Sequence, residues 1–92
     1  MKTQLHVLIS GQVQGVWYRA NTKQKADELG LTGWIKNTAN GDVEAVFVGD
    51  ESSVNEMMTW CRVGPPLAQV DNVRIIRKRV EGEFTGFTIL RN

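Results

Sequence analysis

The chain has 92 residues and a formal net charge of +1, so it has the size of one domain and no overall field that would attract nucleic acid or an acidic membrane surface. Its apolar fraction of 41% and charged fraction of 23% are ordinary globular values, and its single cysteine, Cys61, excludes an internal disulfide. No apolar run is long enough to span a membrane, and the N-terminus is too short for a signal peptide. We therefore expect one domain over residues 1–92, monomeric and cytoplasmic, without a nucleic-acid or membrane partner.

Alternating apolar residues predict a first strand over residues 4–10. The side chains on its core face are Leu5, Val7 and Ile9. A first helix is predicted over residues 20–29. One face of this helix carries Thr22, Ala26 and Leu29. Gly30 stands where a left-handed residue ends a helix, so the leucine after it can pack back on Ala26 in a Schellman arrangement.

Two further strands are predicted over residues 31–37 and 42–48, because Asn40-Gly41 between them is the strongest short hairpin signal. A second helix follows, and Ser53 predicts its start as the first residue of a capping box. The box is completed by Glu56. The apolar face of this helix, at helical spacing, consists of Val54, Met57, Met58 and Cys61. The helix is ended by Gly64, Pro65 and Pro66.

A fourth strand is predicted over residues 69–77, and a short fifth segment over residues 84–90 has Phe87 and Ile89 on one face. The order β-α-β-β-α-β with a short C-terminal strand is the split β-α-β pattern of the ferredoxin-like fold, which belongs to the α+β class. We therefore expect an antiparallel sheet with two helices on one face. The strand-helix-strand unit runs its two strands parallel, so their C-terminal ends meet at one rim of the sheet.

The most informative stretch reads GQVQGVWYR, residues 11–19, and lies where the first strand turns into the first helix. The glycines at 11 and 15 allow a tight backbone path, and the unpaired N–H groups of a helix start form a concave anion site. Arg19 adds a planar fork of donors that matches a phosphate or carboxylate, and the topology brings Asn37 to the same rim. An ordinary turn with a surface arginine has the same spacing, so spacing alone leaves both interpretations open.

Two other stretches accompany residues 11–19. One reads GWIKNTANGDVEAV, residues 33–46, and the other reads GPPLAQVDNV, residues 64–73. In this order the three resemble the two signatures of the acylphosphatase family and its segment between the second helix and the fourth strand. The resemblance covers nearly the whole chain. It implies hydrolysis of the carboxyl-phosphate bond of small acyl phosphates to a carboxylate and inorganic phosphate, with no metal, no cofactor and no covalent enzyme intermediate.

By this resemblance Arg19 binds the phosphoryl oxygens and Asn37 orients the attacking water. The remaining donors are the main-chain amides of Gly15, Val16, Trp17, Tyr18 and Arg19. Because the leaving carboxylate is weakly basic, positioning the water and stabilising phosphoryl charge are sufficient. A neutral amide cannot remove a proton, so we suggest that the substrate's own phosphate accepts the proton of the water. Inorganic phosphate and sulfate should inhibit by binding the same amides.

Trp17 and Tyr18 stand where the family most often has a small or aromatic residue and then a phenylalanine. The added hydroxyl of Tyr18 needs a hydrogen-bond partner if it is buried. For the Trp17 side chain two interpretations remain open. The indole either lies along the rim of the cleft and contacts the acyl part of the substrate, or it packs against the first helix.

The other reactive residues are interpreted as structural. His6 lies within the first strand, Cys61 lies on an apolar helix face, and no set of ligating side chains has metal-site spacing. The basic run at residues 74–79 is typical of a solvated strand edge, and the strands lack the aromatic residues of an RNA-recognition module. The remaining alternative is a non-catalytic domain that binds acyl phosphates or other anions, against which the presence of Asn37 argues, because binding alone does not need it.

Overall fold

The elements of the computed structural model, which describes residues 2–80 and 84–90, follow one another in the predicted order. They are β1 (Lys2–Gln12), α1 (Tyr18–Glu28), β2 (Thr32–Asn37), β3 (Val43–Asp50), α2 (Glu51–Val63), β4 (Gln69–Lys78) and β5 (Phe87–Ile89). In this part of the chain, no helix is both long enough and apolar enough to cross a membrane.

The five strands form one sheet in the order β4-β1-β3-β2-β5. β1 pairs antiparallel with β3 and β4, and β2 pairs antiparallel with β3, as the ferredoxin-like pattern requires. The expectation of an entirely antiparallel sheet is wrong at one edge, where β5 pairs parallel with β2. The physical reason is that the chain reverses direction after β4 and crosses to the opposite edge of the sheet. The sheet is therefore mixed.

One face of the sheet and both helices enclose the hydrophobic core, as predicted. The core-facing side chains of β1 are fully buried, and they lie opposite Phe47, Ala45 and Val43 of β3. The buried helix side chains are Tyr18, Thr22 and Ala26 of α1 and Val54, Met57, Met58 and Cys61 of α2. Phe87 of β5 stacks on Phe47 with 5.3 Å between ring centroids, so the short C-terminal strand completes the core next to α1.

The end of α1 and the following hairpin also agree with the sequence. The N–H of Leu31 donates to the carbonyl of Ala26 at 2.9 Å, which is the long hydrogen bond of a Schellman motif. In the hairpin between β2 and β3, the N–H of Thr38 donates to the carbonyl of Asp42 at 2.9 Å. Three residues, among them the predicted Asn-Gly pair, therefore make the turn.

The start of α2 differs from the prediction, and the capping box of Ser53 and Glu56 is wrong. The helix begins at Glu51 with Asp50 at the N-cap position and without a side-chain cap hydrogen bond. The reason is that β3 continues to Asp50 and passes directly into the helix, so Ser53 already lies in the first turn. Glu51 instead complements the helix dipole in that turn.

Candidate active site

The turn between β1 and α1 comprises residues 13–17 and is called the anion loop below. Gly11 precedes it, at a register shift between β1 and β4. A Cβ atom added there would lie 2.2 Å from the carbonyl oxygen of Gln69, so Gly11 permits close packing of the two strands. The predicted tight backbone path therefore needs glycine at residue 11 because β4 lies so close, and at residue 15 because its φ is 74°.

Backbone dihedral angles of alternating sign shape the anion loop. Gly15 and Trp17 have positive φ values of 74° and 66°, and Val16 between them does not. Successive residues of opposite hand turn their N–H groups toward one concave surface, which is the geometry of an anion-binding nest. No side-chain hydrogen bond caps the start of α1, and no acidic residue lies in its first turn. The first amides of α1 are thus not capped by side chains of the described residues.

Trp17 is a strained position. A left-handed conformation in a bulky residue costs on the order of 1–3 kcal/mol and persists only where the surroundings enforce it. Here the Trp17 carbonyl accepts two hydrogen bonds from Asn21, one from the backbone N–H at 3.0 Å and one from the side-chain Nδ2 at 2.8 Å. Asn21, which received no role in the sequence analysis, therefore helps to hold the anion loop in its conformation.

Arg19 lies in the first turn of α1 and is half-buried. A positive charge at a helix N-terminus interacts unfavourably with the helix dipole. Within residues 2–80 and 84–90, Arg19 forms no ion pair with a carboxylate. An anion bound in front of the helix would offset both the dipole and the unpaired charge. The adjoining cleft has a volume of about 330 Å³ and is lined by Val13, Gly15, Trp17, Tyr18, Arg19, Ala20 and Ile89.

Asn37 is the last residue of β2, and it is half-buried with its Oδ1 atom shielded from solvent. In the sheet it lies opposite Val43 of β3, which in turn lies opposite Ile9 of β1. Asn37 is therefore level with the end of β1 from which the anion loop leaves the sheet. This is the rim at which the sequence analysis expected it.

Gln14 connects the anion loop to the hairpin that follows Asn37. Its Nε2 atom donates to the carbonyl oxygen of Thr38 at 2.9 Å and to that of Asp42 at 2.7 Å. One amide group thus bridges both ends of the hairpin turn. Gln14 lies within the motif at residues 11–19, but no role was predicted for it. The available signal was a side chain with two amide donors immediately before Gly15.

Tyr18 directs its side chain into the core, so only its backbone N–H is available to the cleft as a donor. The buried hydroxyl has the partner that the sequence analysis required, because it donates to the carbonyl of Cys61 at 2.7 Å. That carbonyl would normally bond to the N–H four residues later, but the residue there is Pro65, which has none. Burial raises the pKa of the Tyr18 phenol above its ordinary value, so the phenol stays protonated.

The remaining reactive side chains lie outside this cleft. His6 forms a 2.6 Å contact with Glu44 on the sheet face that the helices do not cover. Cys61 is buried, and burial raises the pKa of its thiol to about 12, which keeps it protonated and unreactive. Across the described part of the chain, no group of three or more ligating side chains is arranged to hold a metal ion.

Comparison with known proteins identifies a family and solved structures that this chain is similar to. A model of the acylphosphatase family matches residues 5–89. The acylphosphatase of Methylococcus capsulatus is 53% identical over 88 residues, which are 96% of each chain. The structure of an acylphosphatase from Coxiella burnetii matches with a TM-score of 0.92 at 43% identity, over 97% of this chain and 93% of its own. That of Bacillus subtilis acylphosphatase matches with a TM-score of 0.94 at 28% identity, over 99% of this chain and 100% of its own.

Proposed function

The chain belongs to the acylphosphatase family, and from this membership we propose that it hydrolyses the carboxyl-phosphate bond of acyl phosphates. The products are a carboxylate and inorganic phosphate. The observation that carries the assignment of the site is the left-handed Gly15 and Trp17 next to a helix start that no described side chain caps, with Arg19, which forms no ion pair within the described residues, in the first turn.

In the proposed complex the amides of Gly15, Val16, Trp17, Tyr18 and Arg19 donate to the phosphoryl oxygens. The alternating φ signs at residues 15–17 support this role, because they turn these amides toward one side of the loop. The Arg19 guanidinium adds a bidentate, charge-assisted contact that a lysine cannot make. As charge shifts on the phosphoryl oxygens in the transition state, these fixed donors stabilise it without reorganisation.

Asn37 is proposed to orient the attacking water. Its position at the end of β2, level with the end of β1 from which the anion loop leaves the sheet, supports this role, because a side chain held by the sheet can fix a water at one place. An amide cannot take up the proton of the water. We assign the proton to a phosphate oxygen of the substrate, since Tyr18 holds its own proton and His6 and Cys61 lie elsewhere.

The leaving group shapes the rest of the mechanism. A carboxylate is weakly basic and departs without protonation, so the reaction needs no strong general acid. Among the described residues, the cleft is lined by one charged side chain, that of Arg19, which is not a general acid. The positive charge that the phosphoryl group requires comes from Arg19 and the N-terminus of α1, and the proposed mechanism is independent of metal ions and cofactors.

Steady-state hydrolysis of acetyl phosphate in excess chelator tests this proposal. We expect turnover, competitive inhibition by phosphate and sulfate, and a large loss of kcat/KM in Arg19→Ala that Arg19→Lys restores only in part. Two charge-assisted hydrogen bonds of about 1.5–3 kcal/mol each make the loss on the order of 10²-fold or more. The exposed Arg62 at the end of α2 provides the control Arg62→Ala, which should keep parental activity. Phosphate binding without turnover would instead identify a non-catalytic anion-binding domain.

We also propose that the protein acts as a cytoplasmic monomer. The edge strand β4 carries exposed charged side chains, among them Arg74 and Lys78, and charged side chains on an edge strand oppose edge-to-edge pairing with a second copy. Sedimentation of the purified protein at low and high salt tests the monomer.

A further inference from the structure

The Trp17 side chain lies outside the hydrophobic core. It is 72% exposed, more than any other large apolar side chain among the described residues. The interpretation that it packs against the first helix is therefore not supported. Its ring makes no aromatic contact, and its indole N–H donates no hydrogen bond within residues 2–80 and 84–90. The indole therefore contributes little to the stability of the folded chain, and the left-handed backbone of Trp17 lowers that stability.

Folding stability alone would favour another residue here. Glycine adopts a φ of 66° without a Cβ clash, and asparagine tolerates it better than a bulky aromatic residue does. An exposed tryptophan adds apolar surface that water solvates poorly. Backbone strain combined with exposed aromatic surface at one residue is typical of ligand-contacting positions.

The cleft beside Trp17 has both charged and apolar lining residues. Arg19 carries the charge, and Val13, Trp17 and Ile89 make up the apolar side. Its volume of about 330 Å³ is at the lower end of the range of small-molecule pockets and exceeds what a phosphoryl group alone would fill. Ile89 belongs to β5, so the C-terminal strand also contributes to the apolar side.

We propose that Trp17 and Ile89 form the binding site for the acyl group and select acyl phosphates whose acyl part is apolar and planar, such as an aromatic acid. This proposal rests on the proposed function, because the phosphoryl group bound at residues 15–19 fixes where the acyl group begins. A flat apolar group stacks on the indole, and a small aliphatic group reaches less of this surface. Trp17 thereby determines specificity through its side chain and contributes to phosphoryl binding through its amide.

The test compares kcat/KM for benzoyl phosphate and acetyl phosphate in the parent, Trp17→Ala and Trp17→Phe. Any effect of the substitution on the shared phosphoryl site changes both substrates and cancels in the ratio. We expect Trp17→Ala to lower the ratio of benzoyl to acetyl kcat/KM about tenfold and Trp17→Phe to retain most of it. Ile76→Ala is the matched control, since Ile76 is also exposed but lies on β4 away from the cleft, and it should leave both values unchanged.

Binding of the non-hydrolysable analogues benzoylphosphonate and acetylphosphonate separates this proposal from the proposed function. The parent should bind the benzoyl analogue more tightly, and Trp17→Ala should remove most of that preference. An unchanged ratio in both kinetics and binding would overturn the acyl site while leaving the hydrolytic activity in place. Failure of the parent to hydrolyse either substrate would contradict the proposed function instead, and the analogue ratio would still report on Trp17.

Discussion

Replacement of Gln14 should separate catalysis from phosphate binding. Its amide makes two hydrogen bonds, to the carbonyls of Thr38 and Asp42, and through them sets the anion loop against the hairpin that follows Asn37. Each such bond contributes about 0.5–1.5 kcal/mol net, so Gln14→Ala should lower the free energy of unfolding by about 1–3 kcal/mol. Because Gln14 is only half-buried, we expect the lower part of this range.

The kinetic effect should appear in kcat and leave phosphate binding nearly unchanged. The nest at residues 15–17 depends on its own backbone angles and on Asn21, so the Ki of inorganic phosphate in Gln14→Ala should change by no more than about threefold. The bound phosphoryl group would, however, no longer be fixed relative to Asn37. A displacement of about 1 Å at a reacting centre costs up to about 10²-fold, so kcat should fall by about tenfold or more.

The assay measures acyl phosphate hydrolysis and its inhibition by phosphate. Urea unfolding establishes that the variant is folded. Gln12→Ala is the control, because Gln12 is an exposed glutamine at the end of β1 and should leave kcat and stability unchanged. A Gln14→Ala protein that loses stability but keeps the parental kcat would refute the reasoning, since the two bonds would then have only a structural role.

Two further predictions concern Tyr18 and Cys61. Tyr18→Phe leaves the Cys61 carbonyl without its donor, because Pro65 cannot supply one, and should cost about 1–3 kcal/mol and lower Tm by roughly 4–8 °C per kcal/mol in thermal unfolding. Because burial raises the pKa of Cys61 from 9.0 to about 12, the unfolded chain releases this proton at lower pH than the folded protein does. The contribution of the protonated Cys61 to the free energy of unfolding is therefore complete below about pH 9 and should be lost as the pH rises toward about 12. Urea unfolding across this pH range should show a smaller loss of stability in Cys61→Ala than in the parent.

Much of the fold was predictable because its signals are local. Period-2 alternation predicted the buried face of β1, and helical spacing predicted the buried face of α2. The Schellman end at Gly30 depends on a single residue type and was also predictable. The capping box at Ser53 was wrong because the length of β3, which pairing with β1 and β2 determines, moved the helix start to Glu51.

The candidate site was predictable only in part, because its contacts join distant segments. The motif indicated the anion loop and Arg19, and the topology indicated that Asn37 lies at the same rim. The hydrogen bonds from Gln14 to the hairpin span more than twenty residues, and no local pattern encodes them. The left-handed Trp17 also had no local signal, because a bulky residue disfavours that conformation.

The central claim is that phosphoryl binding and water activation belong to different residues, and Asn37→Ala tests it most directly. Two quantities are measured in this variant, kcat for acyl phosphate hydrolysis and the Ki of inorganic phosphate, and only kcat should change greatly. We predict a fall in kcat on the order of 10²-fold or more with a nearly unchanged Ki, because a water-orienting amide acts in the transition state and not on bound phosphate. A Ki that weakens as much as kcat falls would contradict the account and place Asn37 in the phosphate site itself.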